Sequence, residues 1–230
     1  MTQQSFVKEK TSLKWTMRII GFIWMFLTAC FAILNIFIFV QPQWIGDSLA
    51  SPRAGHFGLY SYCISTIDDY EFECHGIWLN FRHIINAPFA VATFFVGLSV
   101  LLILLCLVFF LFFIFLRSRF VYFLCSLIQM FCSISLLVAL IVYPSGFDHE
   151  TIRTVCGDNA KDFHLDTCQI RWAYILAMIA CFNVTILAIL GFILGTKHDN
   201  QGHTKKEYGE LSETSDERTV SERMSMQSRR

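Results

Sequence analysis

The chain has 230 residues, of which 55% are hydrophobic, 16% are aromatic and only 16% are charged. Soluble domains carry about 25% charged residues, and nucleic-acid-binding domains need a basic face. The 18 basic and 18 acidic residues give a formal net charge of zero. This composition excludes a disordered chain, an ordinary soluble enzyme and a nucleic-acid binder, which leaves an integral membrane protein.

Four apolar runs lie at 17–40, 87–116, 120–143 and 173–194. A helix that rises 1.5 Å per residue needs about 20 residues to cross a hydrocarbon layer of ~30 Å, so each run is long enough to span a membrane. The only charged side chain within them is Arg18, at the start of the first run. The runs predict four transmembrane helices, with a cytoplasmic segment 1–16 before them and a disordered tail 195–230 after them.

The basic residues are distributed unequally around these spans. Loops 41–86 and 144–172 hold five basic and ten acidic residues, whereas all other segments together hold 13 basic and eight acidic residues. Loops that face the cytoplasm carry the excess of Lys and Arg. We therefore expect a multi-pass protein of the plasma membrane, with both termini in the cytoplasm and both large loops outside the cell.

Four of the nine cysteines lie in the two predicted outer loops: Cys63, Cys74, Cys156 and Cys168. An oxidising compartment favours disulfides between them. Three connectivities are possible, and the spacing favours the local pairs 63–74 and 156–168. A zinc site of Cys156, His164 and Cys168 is a weaker alternative, because its spacing matches no standard zinc motif.

The first pair of cysteines is predicted to join two strands of a hairpin. Residues 70–74 alternate between apolar and acidic side chains, which predicts a strand with one buried face. Pairing Cys63 with Cys74 puts Ser65 opposite Phe72 and leaves two aspartates at the turn. The acidic side chains of this hairpin are a candidate site for a cation or a basic partner, and otherwise a solvated strand face. They are Asp68, Asp69, Glu71 and Glu73.

Three helix starts have recognisable capping residues. Asn86 can cap the second span. Asp148 can cap a short helix that ends at Gly157. Asp166 and Gln169 have the spacing of a capping box, which predicts that the fourth helix begins outside the bilayer.

Small residues recur every three or four positions along the fourth span. They are Ala173, Ala177, Cys181, Val184, Ala188, Gly191 and Gly195. Such a seam lets helices approach closely, either inside the bundle or against a partner, and internal packing is the simpler interpretation. Gln129 and Asn183 both fall near mid-bilayer, so we expect a hydrogen bond between them that joins the third and fourth spans.

The sequence contains no arrangement that predicts chemistry. Spans without charged side chains offer no proton relay, voltage sensor or ion-coupling carboxylate. We find no nucleophile–base motif, phosphate-binding loop or metal box. We therefore expect a protein that is not an enzyme and needs no cofactor, and an intrinsic pore or transporter is disfavoured.

The first loop resembles the W…GLW…C…C pattern of claudin-type proteins. It carries this pattern at Trp44, Gly58, Leu59, Tyr60, Cys63 and Cys74. Tyr60 stands where claudins have Trp. A closer resemblance, carried by segments 39–47, 55–63, 92–97, 143–148 and 171–177, is to the LHFP-like (lipoma HMGIC fusion partner-like) tetraspan family. Cys156 and Cys168 are also similar to this family's second loop, and the likeness covers about residues 17–196.

The resemblance implies a claudin-like, all-α membrane fold. In it, a left-handed four-helix bundle lies under a small disulfide-linked antiparallel sheet, built mainly from the first loop. It also implies function by association. Some family members are auxiliary subunits of GABA-A receptors together with neuroligin. Others join a protocadherin to the channel of the hair-cell mechanotransduction complex.

From this resemblance we expect a non-catalytic adaptor that binds, traffics or stabilises an ion channel or neurotransmitter receptor in the lipid bilayer. An adhesion protein of protocadherin or neuroligin type is a further expected partner, and self-association is left open. The signature residues Trp44, Gly58, Leu59 and Tyr60 and the acidic hairpin are its candidate contacts. The alternative is a claudin-like protein for cell–cell adhesion or a paracellular barrier.

Overall fold

The structure is a computed structural model that describes residues 3–66, 71–76, 84–111 and 118–197, with side chains from residue 15 onward except at 118 and 119. The predicted acidic turn at Asp68 and Asp69 lies outside the described residues. The predicted disordered tail beyond residue 197 lies outside them as well.

Four long helices confirm the four predicted apolar helices. They are α1 (Gln3–Val40), α2 (Ala87–Leu111), α3 (Ser118–Val142) and, after a short α4 (Glu150–Cys156), α5 (Trp172–Lys197). A 3₁₀ turn, Tyr143–Gly146, continues α3. The apolar segments of the four long helices are 25 to 27 residues long and can each cross a membrane.

The cap predicted for α2 is confirmed, whereas the capping box predicted before α5 does not form. Asn86 accepts a hydrogen bond from the backbone nitrogen of Phe89 at 3.1 Å, as expected of a capping residue. The fourth span begins at Trp172 and not near Asp166. The reason is that residues just before it form a β-strand, whose backbone groups pair with the first loop instead of starting a helix.

The short helix α4 forms where the second loop predicted it, but with a different cap. His149 is the capping residue, and its Nδ1 accepts a hydrogen bond from the Thr151 nitrogen at 3.2 Å. The Asp148 carboxylate instead contacts the guanidinium of Arg153. Gly157 ends the helix with a φ of 100°, a conformation that glycine adopts without steric cost.

Both large loops contribute to one antiparallel sheet. Its strands are β1 (Ile45–Gly46), β2 (Gly55–Phe57), β3 (Tyr62–Ser65), β4 (Phe72–His75) and β5 (Gln169–Ile170). The spatial order is β4-β3-β2-β1-β5, so β1 pairs with β2 of its own loop and with β5 of the other loop. We call the described parts of residues 41–86 and 147–171, which contain this sheet and α4, the head.

The hairpin of β3 and β4 has the predicted register. Cys63 faces Cys74, and Ser65 faces Phe72. The prediction of one buried face on β4 is wrong, since all four of its residues are exposed. The physical reason is that β4 is the edge strand of the sheet and pairs with β3 alone among the described strands.

Small polar side chains join the helices inside the bundle. Asn35 on α1 donates a hydrogen bond to Ser99 on α2 at 2.8 Å. Trp24 on α1 donates from Nε1 to the carbonyl of Leu187 on α5 at 2.8 Å. Hydrogen bonds of this kind, together with close packing, hold membrane helices together where no water competes.

The predicted hydrogen bond between Gln129 and Asn183 does not form. Gln129 is buried and donates to Thr28 on α1 at 2.9 Å, whereas Asn183 lies on the exposed face of α5. The hydroxyls of Ser133 and Thr185, 2.7 Å apart, join α3 and α5 instead. Equal depth in the membrane therefore does not decide which faces of two helices meet.

Candidate functional site: the head and its attachment to the bundle

Trp44 fixes the head to the ends of the helices. Its side chain is fully buried, and its ring centroid lies 4.9 Å from that of Tyr143 and 5.7 Å from that of Tyr174. The indole Nε1 donates to the carbonyl of Ile38 at 3.2 Å, so the polar atom of this ring is also bonded. Buried aromatic contacts of this size contribute strongly to stability.

Gly58 and Leu59 form a second attachment point. A Cβ on Gly58 would lie only 2.6 Å from the Cα of Pro42, so only glycine fits at this position. The Gly58 carbonyl accepts from the Tyr143 hydroxyl at 3.2 Å, and the Leu59 carbonyl accepts from Thr93 on α2 at 2.8 Å. Sequence reasoning did not find the roles of Tyr143 and Thr93, although both lie in segments that carry the family resemblance.

The signature residues therefore have different roles. Trp44, Gly58 and Leu59 are buried in the structure, so these three residues are not exposed to contact a partner. Tyr60 is half-buried against Phe39, with ring centroids 5.5 Å apart. Burial raises the pKa of the Tyr60 hydroxyl above its ordinary value of 10.0.

Two disulfides close the head, and they are the local pairs. Cys63 is bonded to Cys74, and Cys156 is bonded to Cys168. The second bridge is buried in the head, while Cys74 lies on the exposed edge strand. Cys156 and Cys168 are thus not free to act as thiolate ligands with His164. Within the described ranges, no group of three or more His, Cys, Asp or Glu residues is arranged to hold a metal ion.

An ion pair joins the two loops beside the sheet. A terminal guanidinium nitrogen of Arg171 donates to the Asp47 carbonyl at 2.8 Å and to its carboxylate at 3.0 Å. The two residues are 124 positions apart, so their pairing could not be read from local sequence. The pair is partly exposed, and it positions β5 against β1 more than it adds stability.

The outer surface of the head carries exposed acidic and apolar side chains. Glu71 and Glu73 are exposed, and Glu73 lies 3.2 Å from His75. Phe72 between them is 54% exposed, and Leu49 protrudes fully from the loop between β1 and β2. Of the predicted contact residues that the structure describes, Glu71 and Glu73 are therefore the ones free to meet another protein.

The small-residue seam of α5 faces the bundle interior. Ala173, Ala177 and Ala188 are fully buried. A Cβ on Gly191 would overlap the Ser126 hydroxyl, and one on Gly195 would make only ordinary contacts. The seam is thus used for close internal packing, the simpler of the two interpretations.

Comparison with known proteins identifies the family. The family model described as "Lipoma HMGIC fusion partner-like protein" matches residues 20–197. The chain belongs to the LHFP-like family. It is 41% identical over 181 residues to LHFPL tetraspan subfamily member 4 protein of Homo sapiens, covering 78% of this chain and 73% of the relative. It is 40% identical over 183 residues to the member 5 protein of Gallus gallus, covering 80% and 83%. The match to the human member 3 protein is 38% over 183 residues, covering 80% and 78%.

The head of this LHFP-like protein is expected to lose stability at acid pH through His56. Burial lowers the pKa of His56 from its ordinary value of 6.5. Asp47 has a smaller effect that raises this pKa, and Arg171 has a smaller effect that lowers it. The unfolded chain therefore binds this proton first as the pH falls below 6.5, and folding becomes less favourable until the folded form is protonated too. Unfolding of the detergent-solubilised protein between pH 8 and pH 5 measures this loss.

The variant His56→Gln is the control for this effect. It removes the titrating group and is expected to lose less stability than the wild type over the same pH range. Equal pH dependence in both proteins would contradict the assignment to His56.

Close packing of α5 predicts different effects for two alanine substitutions on the same seam of this family member. Gly191→Ala puts a methyl group against the Ser126 hydroxyl and 2.8 Å from Cζ2 of Trp24, so it is expected to destabilise the bundle by about 1–3 kcal/mol. Gly195→Ala adds a methyl group 3.6 Å from Tyr122 Cβ and is expected to be nearly neutral. Thermal unfolding in detergent compares the two, and equal midpoints would contradict this packing.

Proposed function

We propose that this LHFP-like protein is a non-catalytic auxiliary subunit that binds and stabilises an ion channel or neurotransmitter receptor in the plasma membrane. The observation that carries the proposal is the form of the head. It is a disulfide-linked sheet attached to a packed helix bundle by buried contacts of Trp44, Gly58 and Leu59, and its edge strand β4 is exposed. Such an outer surface is suited to recognising another protein.

The interior of the bundle supports a binding role over a transport role. Its described helices are packed with apolar side chains and with small polar groups that bond to one another. The described parts of the spans contain no buried Asp, Glu, Lys or Arg that would carry an ion or a proton. The surface of the protein is then what remains to perform its function.

The charges support an orientation with the head outside the cell. The two large loops are acidic, and the remaining segments are basic, as the positive-inside rule requires. Two disulfides in the head fit the same orientation, since they persist in an oxidising compartment. In this orientation the exposed acidic residues of β4 meet the extracellular domain of a partner.

Exposed acidic residues offer a direct test of this proposal. The full-length protein would be purified from native membranes in mild detergent, and the co-purifying membrane proteins identified. We expect an ion channel or receptor, with or without an adhesion protein of protocadherin or neuroligin type. Replacing Glu71 and Glu73 by Lys should reduce the recovery of this channel or receptor several-fold, because charges at the edge of an interface guide association.

The matched control reverses two charges elsewhere on the exposed head. Asp158→Lys with Asp162→Lys changes the net charge equally and should leave recovery intact. Recovery that is unaffected by the β4 reversal would contradict the assignment of this surface. Recovery of no channel or receptor would contradict the proposed function.

A second candidate function is adhesion between cells by claudin-like assembly of heads. The observation that favours it is the exposed edge strand β4, which presents Phe72 and an outer side that pairs with no described strand. Expression in non-adherent cells distinguishes the two functions. Clustering at cell contacts, with only self-polymers recovered, would support adhesion and contradict the auxiliary role.

A further inference from the structure

The described helices contain three carboxamide side chains within their apolar segments, and one of them differs from the others. Asn35 and Gln129 are buried and donate hydrogen bonds to neighbouring helices. Asn183 is exposed on α5, and its side chain makes no hydrogen bond to any described residue. Its amide group is therefore directed away from the bundle, where the surroundings are lipid.

Asn183 lies near the middle of the membrane. It lies 11 positions after Trp172 and 14 positions before Lys197, which places it about 16 Å and about 21 Å from the two helix ends. Water does not reach this depth to bond the amide, and an unpaired amide in hydrocarbon is unfavourable. A polar group at this position needs a partner from a second helix.

The residues around Asn183 form a continuous exposed stripe along α5. At intervals of three or four residues, it contains large apolar side chains that face away from the bundle. They are Ile175, Ile179, Phe182, Ile186, Ile189 and Ile193. One Asn within such an apolar stripe is the pattern that fixes the register and the number of associating helices in coiled coils.

We propose that this stripe is the interface for a second copy of the same chain, joined by a hydrogen-bonded pair of Asn183 side chains. Two copies with the same orientation in the membrane place Asn183 at the same depth. Around a two-fold axis, each amide donates from its nitrogen to the other oxygen, so one residue type satisfies both partners. This inference goes beyond the auxiliary role and does not depend on it.

Measurements on the purified full-length protein in lipid vesicles test this interface. Single-molecule photobleaching over a range of protein-to-lipid ratios should give dimers for the wild type and for Asn183→Gln. Asn183→Leu should weaken dimerisation by roughly 5- to 30-fold, the range expected for loss of an amide hydrogen bond between membrane helices. The melting temperature of the monomer should not fall, because the residue lies outside the packed bundle.

Cysteine cross-linking locates the interface independently. In a Cys30→Ala background, which removes the exposed free thiol, Ile186→Cys on the same stripe keeps Asn183 and should form a disulfide-linked dimer on oxidation. The control is Leu137→Cys, on the exposed surface of α3, which should not form a disulfide-linked dimer.

Three outcomes would overturn this proposal. They are a wild type that stays monomeric at every protein density, an Asn183→Leu variant that dimerises as well as the wild type, and equal cross-linking at the two cysteines. If Asn183→Leu instead loses only a different membrane protein, the stripe binds a heterologous helix and not a second copy.

Discussion

Replacement of Trp44 by alanine should detach the head from the bundle. The substitution removes a fully buried indole that packs between Tyr143 and Tyr174, and it leaves a cavity lined by aromatic rings. Truncation of a buried Trp destabilises a protein by about 3–5 kcal/mol. We expect fast hydrogen exchange of the sheet amides and a lower thermal midpoint in detergent, with the helices still formed.

Trp172→Ala is the matched control for this substitution. Trp172 lies at the same end of the bundle, but it is 41% exposed; its ring lies 5.6 Å from that of Phe37, and its Nε1 donates to Gln43 at 2.9 Å. We expect it to destabilise the head by about 1 kcal/mol or less. Equal exchange rates in the two variants would contradict the anchoring role of Trp44.

Removal of the disulfide between Cys156 and Cys168 should destabilise the head more than removal of the other disulfide. Both bridges close loops of similar length, with sequence separations of 12 and 11, so their chain-entropy contributions of about 3 kcal/mol are nearly equal. Cys156 and Cys168 are both buried, so replacing them by alanine also removes packing. Proteolysis of the head and its thermal unfolding measure this difference.

The matched variant is the double replacement of Cys63 and Cys74 by alanine. Cys63 is buried but Cys74 lies on the exposed strand β4, so only one of the two replacements adds a packing loss to the chain-entropy contribution. If the two double variants were equally stable, burial of the second bridge would contribute nothing. A more stable Cys156/Cys168 variant would contradict the prediction outright.

The hairpin shows what could be predicted from sequence. Alternation over 70–74 and the spacing of Cys63 and Cys74 predicted the register of β3 and β4, because both are local signals. Burial of β4 could not be predicted this way. It depends on which other strands lie in the sheet, and β4 is at its edge.

The other strands of the head give no such local signal. β1, β2 and β5 are two or three residues long, too short to show alternation. Their pairing is held by groups far apart in sequence, such as Asp47 and Arg171. The resemblance to the family implied a sheet here, whereas periodicity alone predicted only the hairpin.

The packing inside the bundle could likewise be predicted from sequence only in part. The small-residue seam predicted close packing of α5, and Gly191 against Trp24 agrees with it. The partner of Gln129 and the exposure of Asn183 could not be predicted, because depth in the membrane leaves the rotation of each helix undetermined. That rotation decides which of the two amides is buried, and with it where the candidate interface lies.

The pairing of β1 with β5 has a consequence for the synthesis of the protein. β1 directly follows α1, the first helix to be synthesised. Its second partner strand, β5, lies just before α5, the last helix to be synthesised. The hairpin of β3 and β4 can form early from local contacts, whereas the sheet stays incomplete until translation has passed residue 170. A chain truncated before β5 would therefore expose the unpaired edge of β1, which marks the head as incomplete.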